Sequence, residues 1–468
     1  MVNTRIKRSS SKVRVKKSLT PSSRSTRASR KAIVAERKSY EFGGPVGACV
    51  TMCSLPMVAF WLLDSVQNKR TLKEALSDVY QDPYGFLKRL YEPELKYYAF
   101  GIYIGWFILQ LAGHCLLPGR TVKGAATVDE KGTRLRYVLN GLLCYLMTLV
   151  LFGCAVVDKL HGTFGNIFVD PSSIVGGDMH IKLFRAANTV AWVMAMLIYA
   201  MCHVKWFANQ ADRCTGCVPY DYFMGATTNP RIGWFDLKFF CESRPGLILW
   251  VLFNFSLALK QFESGRITSP MLLVCFFQFF YILDYFWQED SILSTMDIMH
   301  DPFGWMLCWG DIVYVPFSYS LQAFYLYHNS NVDINYLWAG CIFVLHFVGY
   351  KIFRESNNQK HDFRSGITDK IWGEKVAFVQ TSRGTKLLAS GWWGKSRHPN
   401  YLGDIMMAVA YSLPCGFGSV FPYFYPIYFW ILLVHRERRD NSHCAKKYGK
   451  DWEVYCAKVP YRIIPFVY

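Results

Sequence analysis

Long apolar runs without charged side chains alternate with polar segments along most of this chain. A helix needs roughly 20 such residues to cross a bilayer, and most of the runs come close to that length. The runs cover residues 46–63, 97–119, 137–157, 186–203, 245–259, 267–283, 312–332, 335–350 and 405–434. A soluble protein with many core helices does not account for so many uncharged runs. The pattern therefore predicts an all-α polytopic membrane protein.

The last run is longer than one span requires, and residues that favour turns interrupt it. These residues are Pro414, Gly416, Gly418, Pro422 and Pro426. Because proline and glycine break regular structure, the run predicts two spans joined by a tight turn. The whole pattern then predicts about ten transmembrane helices.

Composition agrees with that prediction and adds a strongly basic N-terminus. The chain of 468 residues is 52% hydrophobic and 17% aromatic. Residues 1–40 contain 13 Lys and Arg against one acid, Glu36, and so carry +12 of the total charge of +18. A segment this rich in Arg and Ser cannot bury a core. We expect a disordered arm over residues 1–41 and one membrane domain over residues 42–468.

The basic arm stands directly before the first apolar run, which bears on topology. Positive segments stay on the cytoplasmic side, so the N-terminus is expected to be cytoplasmic, or nucleoplasmic in a nuclear membrane. No apolar run precedes residue 46, and the arm does not read as a cleavable signal peptide. Two roles stay open: the arm binds nucleic acid or anionic lipid, or it is a solvated topology signal.

Three polar segments are candidates for the functional site. Residues 208–244 and 351–403 carry more Arg, Lys, Asn and Asp than a connection requires, and residues 434–449 follow the last apolar run. None of them is hydrophobic enough to span a membrane. Because functional groups concentrate in long loops, these segments are where we expect chemistry.

The cations and aromatic residues of these segments suit a phosphorylated nucleotide. Lys360 and Arg364 are four residues apart and would share one face of a helix, where two cations can bind a phosphate. Trp392 and Trp393 offer flat surfaces for an aromatic ring, and Asn400 adds an amide. The alternative is a positive-inside anchor with interfacial tryptophans. That alternative explains the cations but not the acids and amides interleaved with them.

Two acids interrupt apolar runs and are candidates for chemistry within the membrane. Asp284 and Asp311 each stand in an aromatic-rich, apolar stretch, where a carboxylate usually faces a cavity or a partner. Four tyrosines surround them, which are Tyr281, Tyr285, Tyr314 and Tyr319. Each tyrosine alone is more typical of an interfacial belt. Together with the acids, however, the tyrosines form a candidate source of protons in a dry pocket.

The cysteines indicate neither a disulfide framework nor a metal centre. The chain has 15 of them, many inside apolar runs, where they behave as small hydrophobic residues. Cys214 and Cys217 form a lone CxxC without a second pair. We therefore predict no metal site.

At this point the residues resemble a known family. "LVHRERRDNSHCAKKYG" at residues 433–449 and "YDYFMGATTNPR" at 220–231 are similar to the two signatures of the sterol reductases. Thr228 departs from the second signature, where an aliphatic residue is usual. Further motifs, among them "SGWWGKSRHPNYLGD" and "GYKIFRESNNQK", extend the resemblance over roughly residues 41–468. "EFGGPVG" at residues 41–47 and Pro399 favour the branch of the C14 sterol reductases and the lamin B receptor.

The resemblance implies an NADPH-dependent reductase of the endoplasmic reticulum or the inner nuclear membrane. It places the cofactor pocket on the cytoplasmic side and both the cofactor and sterol pockets within residues 270–468. Carried over by motif, the cofactor residues are Lys360, Arg364, Leu388, Trp393, Asn400, Tyr401, Arg436, Asp440, Cys444, Lys447, Tyr448 and Tyr455. The expected reaction is reduction of the sterol C14–C15 double bond in sterol biosynthesis.

Such a double bond is electron-rich, so an acid must protonate C15 before hydride can add at C14. Tyr281 and Tyr448 are our candidate donors, with Asp440 as an alternative or a relay. His435 and His443 are further candidates. A dry pocket is needed because water would capture the cation, and the sterol would enter from membrane lipid. The competing hypothesis is a receptor similar to the lamin B receptor, whose basic arm, residues 1–40, binds chromatin, DNA or lamin.

Overall fold

The structure is a computed structural model that describes residues 40–91, 97–128, 134–165, 167–204 and 213–468. The predicted basic arm therefore lies almost entirely outside the described residues, and its disorder and its partners stay predictions. The predicted class is confirmed: the chain folds as a largely helical polytopic membrane protein with short hairpins.

The described residues of the N-terminal part form seven helices and two hairpins. The elements are α1 (Gly44–Gln67), α2 (Leu72–Gln81), α3 (Pro83–Tyr91), α4 (Tyr97–Leu116), β1 (Arg120–Val128), β2 (Arg134–Leu139), α5 (Gly141–His161), α6 (Met179–His203), α7 (Val218–Met224), β3 (Arg231–Ile232) and β4 (Phe235–Asp236). Strands β1 and β2 pair antiparallel, as do β3 and β4.

The middle of the chain contains two long helices, followed by short helices and a π-helix. The elements are α8 (Leu237–Ser243), α9 (Pro245–Glu263), α10 (Ser269–Trp287), α11 (Glu289–Ile292), α12 (Met296–Met299), α13 (Trp305–Trp309), the π-helix (Gly310–Tyr314), α14 (Val315–Tyr319) and α15 (Leu321–His328). The C-terminal elements are α16 (Tyr336–Ser365), β5 (Lys370–Ile371), β6 (Glu374–Lys375), β7 (Phe378–Gln380), β8 (Lys386–Leu388), a 3₁₀ turn (Gly391–Gly394), α17 (Pro399–Ser412), two further 3₁₀ turns (Leu413–Cys415 and Phe421–Tyr423), α18 (Phe424–Tyr448) and α19 (Lys450–Lys458).

Seven helices of the described residues are long and apolar enough to cross a membrane. They are Gly44–Gln67, Tyr97–Leu116, Gly141–His161, Met179–His203, Leu237–Glu263, Ser269–Trp287 and Tyr336–Ser365. The predicted span over residues 312–332 is instead divided among the π-helix, α14 and α15. The predicted pair over residues 405–434 becomes α17 and α18, which are separated by a turn. The count of about ten transmembrane helices therefore stays a prediction.

Burial distinguishes the central helix from the peripheral ones. The membrane-crossing segment Leu237–Glu263 contains α9. In its most apolar part 72% of the residues are buried inside the protein, against 22% in the most apolar part of α16. Trp250, Ile248 and Phe253 of α9 have no exposed surface. A helix that is apolar on all sides belongs in a core. Helix α9 is therefore the centre of the fold, while α16 presents much of its surface outward.

A chain of buried polar side chains joins the central helices. Trp250 Nε1 and Asn254 Nδ2 of α9 donate to Gln278 Oε1 of α10, at 2.7 and 2.5 Å. Gln278 Nε2 donates to Gln322 Oε1 of α15 at 3.3 Å, and Gln322 Nε2 reaches Ser412 Oγ of α17 at 3.3 Å. Through these hydrogen bonds the polar side chains cross-link four helices in apolar surroundings, and of the Asn254 amide only Nδ2 takes part, because its Oδ1 has no partner in the described chain.

Two glycines let α16 and α17 pack backbone against backbone. A Cβ added at Gly403 would lie 2.5 Å from Gly349 O, and one added at Gly349 would lie 2.8 Å from Gly403 O. Small residues allow membrane helices to approach this closely. The contact sets the distance between two of the helices that carry predicted cofactor residues.

The motif "YDYFMGATTNPR" holds loops together. The Asp221 carboxylate accepts hydrogen bonds from Thr215 N at 2.8 Å and Gly216 N at 2.9 Å. Gly225 has φ +109°, and a Cβ there would lie 2.5 Å from the backbone of Phe303. Thr228, which departs from the family pattern, accepts a hydrogen bond from Arg213 Nε at 3.0 Å. These contacts give Asp221, Gly225 and Thr228 a structural role.

Candidate active site

The end of α16 and the 3₁₀ turn hold one side of the candidate site. The Lys360 ammonium lies over the Trp393 ring, 4.1 Å from its centroid. Trp393 Nε1 donates to Ser356 O at 2.7 Å, and Trp392 N donates to Gln359 Oε1 at 2.9 Å. Leu388 packs in the same small apolar cluster as Trp393. The fold thus brings together Lys360, Leu388 and Trp393.

The start of α17 meets the polar half of α18. His398 precedes α17 and stacks on Tyr401, with ring centroids 4.7 Å apart at 14°. His398 Nε2 lies 3.7 Å from Asp440 Oδ2 of α18. Asn400 Oδ1 is enclosed and has no hydrogen-bond partner among the described residues. Tyr401 and Asp440 are therefore linked through His398, a residue for which the sequence motif gave no role.

Positive charge surrounds His398. Burial, followed by the nearby cations, lowers the pKa of His398 to about 3. These cations are Lys360, Arg397, Arg436 and Arg462. The imidazole is therefore neutral near pH 7, and its contact with Asp440 is not an ion pair. A region that disfavours one more positive charge in this way suits an anion.

The cations differ in whether they already have partners. Arg462 Nη1 lies 2.9 Å from Glu437 Oε2, and Arg397 Nη1 donates to Asn441 Oδ1 at 3.2 Å. Lys360 and Arg364 form no ion pair within the described part of the chain. Their charges are therefore available for a ligand that carries phosphate.

The polar half of α18 supplies the remaining predicted cofactor residues. Arg436 pairs with Asp297 of α12 at 3.0 Å. Cys444 Sγ lies 3.9 Å from Asp440 Oδ2, and burial together with that carboxylate raises the pKa of Cys444 to about 12. The thiol therefore stays protonated and is no nucleophile. Tyr455 of α19 packs with Cys444 and Tyr448 in one apolar cluster, whereas Lys447 is exposed.

The first described residues attach to the same helix. Glu41 Oε2 lies 2.6 Å from Arg439 Nη2, and the Arg439 guanidinium stacks over Phe42 at 5.1 Å. Phe42 also contacts the His435 ring, with centroids 5.2 Å apart. His435, one of the further candidate proton donors, therefore packs against the first described residues. His443 is exposed, with the nearest ring that of His300 at 6.1 Å.

The three candidate proton donors do not lie together. Tyr281 is on α10, where its ring contacts Trp250 at 6.2 Å and Tyr411 at 6.4 Å. Asp440 and Tyr448 are on α18, and no hydrogen bond, ion pair or ring contact of the described residues joins either to Tyr281. Asp404 of α17 acts electrostatically on both Tyr281 and Tyr401. Asp404 therefore influences a residue of each group, a role that sequence spacing did not reveal.

The two acids that interrupt apolar runs have different surroundings. Asp284 accepts a hydrogen bond from Tyr350 OH at 2.9 Å and pairs with Arg354, both on α16. Asp311, on the π-helix, has one enclosed carboxylate oxygen without a partner. Glu242 of α8 has an enclosed, unpartnered oxygen as well, and sequence reasoning did not select it. Its motif, "FFCESRPG", offered only an acid in a turn-rich segment.

Possible metal ligands do not cluster in the part of the chain that the structure describes. Across residues 40–468, leaving aside the undescribed stretches, no group of three His, Cys, Asp or Glu side chains is arranged to hold a metal ion. Cys214 contacts His203, with Sγ 3.7 Å from Nε2.

The fold and the site define a class of protein: a helical membrane protein whose C-terminal elements bring cations and aromatic rings together. The chain belongs to the ergosterol biosynthesis ERG4/ERG24 family, whose model matches residues 36–468. The resemblance to the sterol reductases is thereby confirmed.

Individual relatives agree over most of the chain. A Delta(14)-sterol reductase of Methylotuvimicrobium alcaliphilum is 43% identical over 93% of this chain and 98% of its own length. The Delta(14)-sterol reductase LBR of Gallus gallus is 41% identical over 91% of this chain and 64% of its own length. A 7-dehydrocholesterol reductase of Danio rerio is 37% identical over 90% of this chain and 91% of its own length.

Proposed function

We propose that this chain reduces the C14–C15 double bond of sterols with NADPH. The observation that carries the proposal is that Lys360 and Arg364 interact with each other without an ion pair in the described chain, and that Lys360 also acts on the neutral His398. It occurs in a chain 43% identical to a Delta(14)-sterol reductase. The 7-dehydrocholesterol reductase, at 37% identity, makes the C7 double bond the competing position.

The residues present fit a phosphorylated dinucleotide. Lys360 and Arg364 would hold phosphate, Trp393 would border a ring, and the unpartnered Asn400 Oδ1 would accept from an amide. The proposed cofactor set is the one the family motif implies: Lys360, Arg364, Leu388, Trp393, Asn400, Tyr401, Arg436, Asp440, Cys444, Lys447, Tyr448 and Tyr455. Bound NADPH supplies a hydride.

The protein's part in the reaction is to deliver a proton and exclude water. Tyr281 is our preferred donor to sterol C15, because it is placed among aromatic side chains of the helical core. Asp440 and Tyr448 are the alternatives on α18. The aromatic surroundings keep out water, which would otherwise capture the cation left at C14. The sterol would enter from the bilayer and the cofactor from the cytoplasm.

The membrane that this chain occupies is part of the proposal. We place the chain in the endoplasmic reticulum, the inner nuclear membrane or both, with its N-terminus cytoplasmic or nucleoplasmic. The basic charge of residues 1–40 beside the first span supports the orientation. The resemblance to the sterol reductases is what implies the choice of membrane.

The basic residues 1–40 also favour a second function. The Gallus gallus relative carries the name LBR, and the basic segment here carries +12. Tethering to chromatin, DNA or lamin through residues 1–40 is therefore our second proposal. The two roles are compatible, because the arm and the candidate site lie in different parts of the chain.

Complementation of a yeast strain without its C14 sterol reductase tests the first function. The full chain and a chain that begins at Glu41 should both remove C14-unsaturated sterols, measured by gas chromatography with mass spectrometry. Asp440→Asn should slow turnover roughly 100-fold or more if Asp440 carries or relays the proton. Asp333→Asn, an exposed change of the same kind, is the matched control.

Two results would contradict these assignments. Persistence of C14-unsaturated sterols despite expression of the full chain would reject the C14 proposal, and loss of a 7-ene sterol instead would move the activity to C7. Full activity of Asp440→Asn would remove Asp440 from the reaction.

A further inference from the structure

Two carboxyl groups inside the helical core have no role in the scheme above. Glu242 lies on α8 and Asp311 on the π-helix, and each has one enclosed oxygen, Oε2 and Oδ2 respectively, without a hydrogen-bond partner in the described chain. Both side chains are half-buried, so the rest of each keeps accessible surface. An ionisable group in a membrane interior is unfavourable and is by default a candidate for function.

The nearest cation does not neutralise them, because it is bound elsewhere. Lys238 is fully buried and its Nζ donates to three backbone carbonyls, those of Asp297 at 2.6 Å, Ile298 at 2.9 Å and Asp301 at 2.9 Å. With these three acceptors an ammonium has used all its hydrogens. The carboxyl groups of Glu242 and Asp311 are left without a direct donor.

The backbone brings the two acids to one place. A Cβ added at Gly246, four residues after Glu242, would lie 1.8 Å from Asp311 O. The π-helix is also held from outside, since Tyr103 OH donates to Ile312 O at 2.7 Å. Single turns of π-helix are often found at functional sites. Asp311 is therefore fixed against the segment that carries Glu242.

Charged and titratable groups face the pair from each neighbouring element. From its own segment come Asp236, Lys238 and Cys241, and from other elements come Tyr285 of α10, Asp297 of α12, Cys308 of α13, Tyr319 of α14 and Arg436 of α18. Arg244 and Glu289 act on Tyr285 and not directly on the pair. Asp297 and Arg436 pair at 3.0 Å, which links the acids to the cofactor helix. Tyr285 acts electrostatically on both Glu242 and Asp311. Tyr281 lies four residues earlier on the same face of α10.

We propose that Glu242 and Asp311 share a proton and supply it, through Tyr285 and Tyr281, to the sterol carbon. The proposal rests on the reductase function proposed above. Two close carboxyl groups do not ionise together easily, so one stays protonated near neutral pH. A carboxylic acid is also a far stronger acid than a phenol, whose pKa is about 10. The pair would therefore recharge a tyrosine that is too weak an acid by itself.

The proton balance of the relay is closed. The Tyr281 hydroxyl gives its proton to C15 of the sterol, and Tyr285 returns a proton to Tyr281. The pair returns one to Tyr285 and is left fully ionised until it takes a proton from the cytoplasm beside Asp297. Bound NADPH would supply the hydride that C14 needs, so the relay requires no further oxidant or reductant. Glu242 and Asp311 act through other groups and are positioning residues.

Steady-state kinetics of the full chain with NADPH and a 14-ene sterol, measured from pH 5 to pH 9, tests the relay. Glu242→Gln and Asp311→Asn should each lower kcat about 100-fold at pH 7.5 with little change of KM. In each variant the remaining carboxyl no longer faces a like charge and releases its proton at lower pH. The kcat should therefore recover as the pH falls toward 5, whereas the double variant should not recover. Asp333→Asn is the control and should match the original chain.

A kcat that is unchanged in both variants, or a loss that is equal at every pH, would overturn the relay. Where an amide variant does not fold, Glu242→Asp keeps the acid: the relay predicts a lower kcat with the original pH profile, and an unchanged kcat contradicts it. The activity of the unsubstituted chain distinguishes failure of the reductase proposal from failure of the relay. If it reduces no sterol, the reductase proposal fails. If it reduces the sterol and the amide variants do too, the relay alone fails.

Discussion

Asp284 and Asp311 stand in similar stretches of sequence, but their surroundings in the fold differ. Both acids interrupt aromatic, apolar stretches. Asp284 is held by Tyr350 and Arg354 of α16, whereas Asp311 keeps an enclosed oxygen without a partner. The first carboxylate joins two helices, so it is explained by stability. The second is not, and an unsatisfied carboxyl in the core is a reason to look for chemistry.

The largest expected effect separates these two acids by stability. Asp284→Asn leaves Arg354 without its partner and should lower the free energy of unfolding by about 3 kcal/mol. Asp311→Asn removes a charge that has no direct partner and should not lower it. Thermal unfolding of the purified chain in detergent measures both. Asp333→Asn, whose pair with Arg266 is more than half exposed on both sides, should change it by less than about 1 kcal/mol. Equal destabilisation by Asp284→Asn and Asp311→Asn would remove the distinction.

A smaller effect is expected when the Asp284 pair is disturbed without changing any polar group. Gly349 precedes Tyr350 and packs against α17, so Gly349→Ala should push the two helices apart and destabilise the chain by about 1–3 kcal/mol. Gly340→Ala is the control on the same helix, because a Cβ there meets nothing within 4 Å. The melting temperature checks both variants, and an unaltered value for Gly349→Ala would mean that the helices adjust freely.

The smallest effect concerns the neutral member of the Asp284 group. Tyr350→Phe removes one hydrogen bond but leaves Arg354 in place, so the expected loss is about 1 kcal/mol. In an Asp284→Asn background the same change should matter less, which a double-mutant cycle in thermal unfolding would show. Tyr336→Phe, at a 93% exposed position of the same helix, should have no effect. Additive losses would mean that Tyr350 does not act through Asp284.

The sequence was most informative where long patterns or long motifs exist. Uncharged runs predicted the membrane class, and residues 220–231 and 433–449 identified the family. The individual helix boundaries were less predictable. Pro316 lies near the junction of the π-helix and α14, where the predicted span over residues 312–332 is divided. Periodicity cannot detect such a division, because the residues on either side are equally apolar.

Within the candidate site, motifs predicted residue types and the fold decided their neighbours. Lys360 and Trp393 lie in contact. Because 32 residues stand between them in the sequence, their spacing could not predict this contact. Tyr281 was selected together with Asp440, yet they lie on different helices without a contact in the described chain. His398 and Asp404 matter because of neighbours that are distant in the sequence and close only in the folded chain.

By itself, the sequence determined that this chain is a membrane protein of the sterol reductase family, with cations and aromatic residues gathered near its C-terminus. Hydrophobicity and charge are properties of each residue and remain visible along the chain. Only the tertiary structure decided which cations have partners, which of two similar acids is unpaired, and that the segment carrying Glu242 packs against the backbone of Asp311. Those properties depend on distances between helices, which packing contacts such as Gly349 with Gly403 and Gly246 with Asp311 establish.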